Sequence, residues 1–214
     1  MEQKKLKKVA IIVAHPDDET LWAGGTMLSE SSWECFVVCL CRKSDNDRAP
    51  KFFKALSILR AGGIMGDLND GPEQTPLPEN EVKRAVLQLI PDVHFDLIIT
   101  HNPDGEYTRH LRHEEVSKAV INLWAEGRII TDELWTFAYE DGHKAYFPKA
   151  DIHASCYHLL PQNLWDLKYS IITSTYGFEE SSWEAKTTPA EEAFWHFSNP
   201  QNAKQWLTQG GIAL

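Results

Sequence analysis

Cysteine is scarce in this chain and wrongly spaced for structural chemistry. Of the four, Cys35, Cys39 and Cys41 share one apolar run and Cys156 lies far away. That pattern spells neither a zinc knuckle nor a disulfide framework, and such cysteines read as small buried hydrophobes. Basic charge is also short. With 21 Lys and Arg against 31 Asp and Glu, the formal net charge is −10, which opposes binding to nucleic-acid phosphates or anionic lipid. No apolar run approaches the ~20 residues that a membrane helix needs. Lys4, Lys5, Lys7 and Lys8 precede an apolar stretch that ends after six residues, too few for the core of a secretion signal. The expectation is a cytoplasmic protein with neither nucleic acid nor membrane as partner. Internal repeats, low-complexity segments and linkers are missing too, so 1–214 reads as a single domain.

What is present alternates. Apolar strand-like runs at 9–14, 34–40, 64–68, 95–100 and 134–139 are separated by helical stretches at 19–29, 51–61, 79–90 and 109–125. Strand–helix alternation of this kind predicts an α/β fold, a Rossmann-like three-layer sandwich around a mostly parallel central sheet. The sheet core is expected over about 8–140, with Gly62-Gly63 ending the second helix and a polar loop over 42–50. Residues 141–214 are less regular, with a possible strand at 151–157, a helix at 161–174 and a Trp-rich tail that packs on the sheet or walls the cleft.

The first strand, Val9 to Ala14, stops at His15-Pro16-Asp17-Asp18-Glu19. Pro16 cannot continue the ladder, and the carboxyl end of a strand is where an open α/β sheet presents its chemistry. His15 and Asp18 offer a nitrogen and an oxygen ligand for zinc, and Asp17 is left beside them as a base. A carboxylate run at a helix start is otherwise a cap; here its partner histidine favours a functional site. After the fourth strand, His110-Leu111-Arg112-His113 places two histidines on one face of a helix start. Strands one and four are commonly neighbours in a doubly wound sheet, so His113 or His110 completes the site. His101, at the end of the fourth strand, is placed to line the cleft. A dinucleotide site is disfavoured, because acids stand where Gly-x-Gly-x-x-Gly would be needed.

The run His15-Pro16-Asp17-Asp18-Glu19 after an apolar strand, with the later His110-x-x-His113, resembles the PIG-L/LmbE-like zinc-dependent de-N-acetylases. The resemblance implies His15, Asp18 and His113 as ligands of Zn2+, with another divalent metal such as Fe2+ as the variant. It further implies Asp17 as general base and His110 as the residue that stabilises the oxyanion and can donate a proton. By the same resemblance Arg48, in the polar segment 42–48, and Lys168, a recurrent basic position in the late helix, contact substrate, and Tyr107 helps polarise the carbonyl. The interior of the second motif differs from the usual His-Pro-Asp-His, and Asp104 or Glu106 is placed to replace its missing carboxylate. The implied reaction removes an N-acetyl or similar N-acyl group from a small-molecule amino sugar or sugar conjugate. A non-catalytic, metal-binding member of the same fold is the alternative reading, and a homo-oligomer is compatible with either.

Overall fold

The structure is a computed structural model that describes residues 6–108 and 110–211. Lys4, Lys5 and Arg109 lie outside the described residues. Strand β1 (Lys7–Val13) is followed by α1 (Asp18–Ser29), β2 (Trp33–Cys39), α2 (Arg48–Leu59) and β3 (Gly62–Met65). Then come α3 (Glu79–Leu89), β4 (Phe95–Thr100), α4 (Leu111–Ala125) and β5 (Thr131–Phe137). The remainder contributes a small hairpin, β6 (Tyr139–Glu140) and β7 (Lys149–Ala150), then β8 (Cys156–Leu159), α5 (Gln162–Ser170) and a π-helical turn (Ile171–Thr175). The chain continues through α6 (Trp183–Thr187), β9 (Glu191–Phe197) and α7 (Pro200–Thr208).

The seven-stranded sheet runs β3-β2-β1-β4-β5-β9-β8. Its first five strands are parallel, and β9 and β8 close the edge antiparallel. Alternation along β1 explains the three layers. Val9, Ile11 and Val13 pack with α1 and α2 on one face, while Ala10, Ile12 and Ala14 pack with α3, α4 and α7 on the other. Both faces are therefore dry, as a parallel sheet requires. The single α/β domain has its switch point between β1 and β4, which pair directly from Val9↔Leu97 to Ile12↔Thr100. The loops that leave these two strands open over one crevice.

Three boundaries differ from the sequence reading. Helix α2 starts at Arg48, not Lys51, because the Asp45 carboxylate accepts the amides of Asp47 and Arg48, both at 2.9 Å, and Pro50 is tolerated in a first turn. Gly62-Gly63 lies inside β3 and does not end the helix; the left-handed residue is Arg60 at φ 57°. Gly63 is required there because a Cβ would come within 2.7 Å of the Val37 carbonyl oxygen. The strand expected at 151–157 is displaced to β8, and β9 emerges from the Trp-rich tail. The C-terminal third thus supplies two strands of the main sheet. Among the described residues no helix is long and apolar enough to cross a membrane.

Candidate active site

Two strand ends build the site. Beyond β1, the His15 amide donates to Asp18 Oδ2 at 2.8 Å, which folds the chain tightly before α1 begins. Asp17 adopts φ 120°, a region that L residues rarely enter and that costs on the order of 1–3 kcal/mol. Its peptide is held in place. The Asp17 amide donates to Glu19 Oε2 at 3.1 Å, its carbonyl accepts the amides of Thr20 and Leu21, and Tyr176 Oη donates to Glu19 Oε1 at 2.7 Å. Beyond β4, a turn through Gly105, at φ 74°, buries Glu106 beneath the crevice.

Three donor atoms converge. His15 Nδ1 is 3.2 Å from Asp18 Oδ2 and 3.2 Å from His113 Nε2, and His113 Nε2 is 3.3 Å from Asp18 Oδ2. The opposite ring nitrogens are committed elsewhere. His113 Nδ1 lies 2.6 Å from Glu106 Oε2, and His15 Nε2 lies 3.3 Å from Asp70 Oδ1, near enough to pair although off the hydrogen-bonding direction. With those nitrogens turned to carboxylates as donors, lone pairs of His15 and His113 face each other and a carboxylate oxygen. Such a trio asks for a cation at its centre. Tetrahedral bonds of ~2.0–2.2 Å would separate the ligand atoms by about 3.3–3.6 Å, so the spacing, at the short end of that range, suits a small divalent metal. The carboxylates behind the histidines supply the outer support that metal-binding imidazoles need.

Electrostatics follows this division. Burial works against the Asp18 carboxylate, but His113, His101 and His15 outweigh it and hold its pKa well below the usual range. Glu106 is likewise brought down to about 2, since His101 and His113 overcome the cost of its burial. Asp17 behaves oppositely. Burial, reinforced by Asp18, raises its pKa well above the ordinary carboxylate value, and Arg48 only partly offsets this. Burial also pushes His110 down to about 3, helped by His113 and His15. His110 is therefore a neutral imidazole here, and its Nδ1 has no hydrogen-bond partner. Glu106 turns to His113 and His101 and leaves His110 unserved, which separates this site from the arrangement expected of Glu106.

A cleft of about 250 Å³ opens above the trio, with Asp17, Arg48, Asp70, Tyr107, His110 and Glu184 among its walls. Arg48 Nη1 is 3.5 Å from Asp17 Oδ2, and its guanidinium sits 4.6 Å from the Phe178 ring centroid. Tyr107 packs edge-on to His110 and His113.

Two expected substrate contacts are not in the cleft. His101 is fully buried beneath the trio, where Nδ1 meets Glu106 at 2.9 Å and Nε2 accepts the Ala14 amide at 2.9 Å. Burial lowers the pKa of this ring, but the Glu106 and Asp18 carboxylates outweigh it and raise it to about 9. Against that pull, the Ala14 amide aimed at Nε2 requires a lone pair there, and this hydrogen bond selects the tautomer protonated at Nδ1. Lys168 is also fully buried, its ammonium bonded to Glu192 at 2.7 Å and to the Pro189 carbonyl at 3.0 Å. It fastens α5 to β9 and cannot reach a ligand.

Sequence reading missed Asp70 and Glu184, and reached Arg42 only as the start of the polar segment 42–48. Asp70 follows β3 and binds Arg42 Nη2 at 2.6 Å as well as facing His15. Its position past the carboxyl end of a sheet strand was the available signal.

Comparison with known proteins bears on this geometry. In a fold search, N,N′-diacetylchitobiose deacetylase from Pyrococcus horikoshii superposes with a TM-score of 0.66 at 17% identity, covering 91% of this chain and 85% of that one. The 4-carboxy-2-hydroxymuconate hydratase GalB from Pseudomonas putida KT2440 gives 0.59 at 18% identity, covering 85% and 83%. At such identities the likeness establishes the fold alone. Uncharacterized protein L374 of Acanthamoeba polyphaga mimivirus is 24% identical over 146 residues, so the match spans 61% of this chain and 61% of that relative's length. The family model described as PIG-L, GlcNAc-PI de-N-acetylase, matches residues 10–124, a stretch that holds the His15–Glu19 run, Asp70, Glu106, His110 and His113, and the chain belongs to the PIG-L family.

Proposed function

We propose that the protein is a metal-dependent amide hydrolase that removes an N-acetyl group from an amino sugar or sugar conjugate, releasing acetate and a free amine. The observation that carries this reading is the trio of His15 Nδ1, Asp18 Oδ2 and His113 Nε2 at mutual distances of 3.2–3.3 Å, with the Asp17 carboxylate outside it in the cleft. Three N/O ligands with a fourth position open to the cleft suit a catalytic Zn2+, with Fe2+ as the alternative ion. When bound, such an ion polarises the amide carbonyl and acidifies water.

The chain's own groups do the rest. Asp17, bound to no metal and raised in pKa, accepts the proton of the attacking water. Arg48, 3.5 Å away, holds that carboxylate toward the cleft and limits the rise. His110, neutral, turns one ring N–H to the oxyanion that develops on the former carbonyl oxygen. The departing nitrogen needs one proton, and Asp17 returns the one it took from water, while the neutral His110 only donates a hydrogen bond. Water thereby adds OH to the acyl carbon and H to the nitrogen as the C–N bond breaks.

The hydratase that shares this fold shows why architecture cannot choose the reaction. The test is acetate release from N-acetylglucosamine and N,N′-diacetylchitobiose by zinc-loaded protein, beside the variant Asp17→Asn. The expected result is release that falls about 10²–10⁴-fold in the variant. Bound zinc with no acetate release above the variant would favour the non-catalytic, metal-binding reading.

A further inference from the structure

The second motif carries Arg112 where its usual form has an aspartate, and the proposed chemistry gives that residue no task. Its side chain is nonetheless wholly removed from solvent. A buried arginine must find partners for its donors. Nε donates to the Asn69 carbonyl at 2.5 Å, Nη2 to the Thr75 carbonyl at 2.8 Å, and Nη1 to the Glu115 carboxylate. The other Glu115 oxygen accepts the Leu77 amide at 2.7 Å. Asn69, Thr75 and Leu77 all belong to the connection 66–78 between β3 and α3, so one ion pair near the start of α4 grips that loop at three points.

The loop has little of its own to hold it. It forms no regular element, and Pro72, Pro76 and Pro78 have no amide to donate. Gln74 stands at φ 46°, a conformation that persists only where neighbours impose it. A structureless connection of this length in a compact domain is usually functional. Here it carries Asp70. The Asn69 carbonyl belongs to the same peptide unit as the Asp70 amide, so the guanidinium fixes the plane from which Asp70 departs. From there the Asp70 carboxylate is held by Arg42 Nη2 at 2.6 Å and Gln74 Nε2 at 2.8 Å, and its Oδ1 faces His15 Nε2 at 3.3 Å.

We propose that Arg112 is a positioning residue for the metal centre: by clamping the loop 66–78 it sets the Asp70 carboxylate behind His15, so that one turn of α4 supplies both the ligand His113 and the support of the ligand His15. This rests on the metal-binding half of the hydrolase reading and not on turnover. The usual aspartate could not serve at this position, because it would meet two carbonyl oxygens and Glu115 with no proton to offer. Lysine would keep the charge but lacks the fixed fork that spans Asn69 and Thr75. The exchange of residue thus moves the motif's interior from the first histidine to the wall of the cleft, and His110 keeps an Nδ1 without a partner.

The test measures zinc affinity, by competition with a chromophoric chelator, in the wild type, Arg112→Lys, Asp70→Asn and the double variant, each first shown to be folded by circular dichroism. Each single variant is expected to bind zinc about 10-fold or more weakly, as when the outer partner of a metal-binding imidazole is lost. The double variant is expected to be no weaker than the weaker single one, because Arg112→Lys has already removed what Asp70 supplies. Arg112→Gln takes the place of the lysine variant if that does not fold. Wild-type affinity in Asp70→Asn would overturn the proposal without any change at Arg112. A clamp that is merely structural would lower the Tm of metal-free Arg112→Lys and leave its zinc Kd at the wild-type value; that result, or losses that multiply in the double variant, would also overturn it. Zinc binding with the expected losses but no acetate release would leave the positioning role standing, and the hydrolase reading alone would fail. A wild type that binds no zinc would remove both.

Discussion

His110 and His113 stand one helical turn apart with rings stacked at 4.3 Å, yet their environments divide them. His113 is fully buried, backed by Glu106 and aimed at Asp18, whereas His110 faces the cleft with Nδ1 unpartnered. His113→Ala is expected to lose bound metal and all activity. His110→Ala is expected to keep stoichiometric metal, measured by atomic absorption, while kcat falls about 10²-fold or more, as when one oxyanion donor is removed. Metal loss from the His110 variant instead would exchange the two roles. The sequence carried His15, Asp17 and Asp18 openly because they are contiguous at a strand end. Asp70 was hidden, since only the pairing of β2 with β3 brings its loop over His15. Lys168 was misread for a related reason. A basic residue in a late helix looks available until the fold sets Glu192 against it.

That pair decides the placement of a whole element. Glu192 lies on the buried face of β9, where its carboxylate accepts the amides of Gly25 and Thr26 at 2.8 and 2.7 Å and the Thr26 hydroxyl at 2.6 Å, besides the Lys168 ammonium. It thus holds the middle of α1, whose first turn carries Asp18 and Glu19. Lys168→Met is expected to leave a buried carboxylate without its counter-charge and to cost about 3–5 kcal/mol in denaturant unfolding. KM of the folded protein should stay unchanged, whereas a substrate-contacting lysine would raise it. The same charge explains why β9 was not legible. Glu191-Glu192-Ala193-Phe194 reads as a polar segment because a fully buried glutamate breaks the apolar pattern of a central strand. The five parallel strands, whose apolar runs answer to dry packing on both faces, were legible to within a few residues.

At the scale of the molecule, the switch point between β1 and β4 gathers Asp17, Asp18, Glu19, Asp70 and Glu106 at one corner of the sheet, their side chains all nearly or wholly removed from solvent. The net charge is −10, so no general excess of positive charge compensates them. Local donors do part of that work: Arg42 for Asp70, Tyr176 for Glu19, and His101 with His113 for Glu106. On the proposed reading the centre of the trio takes a cation that binds the folded chain and not the unfolded one, so metal should stabilise the whole domain. At a free metal concentration 100 times the Kd the gain is ~2.7 kcal/mol, which for a domain of this size raises Tm by roughly 5–10 °C. Calorimetric scans of zinc-loaded and chelator-treated protein should show that difference, and Asp18→Ala should abolish it while His110→Ala preserves it. The shift should also shrink as pH falls, because the ligand histidines bind metal only through neutral nitrogens and protons compete for them. A Tm indifferent to metal in the wild type would mean that the converging lone pairs are met by protons alone, and the hydrolase reading would lose its electrophile.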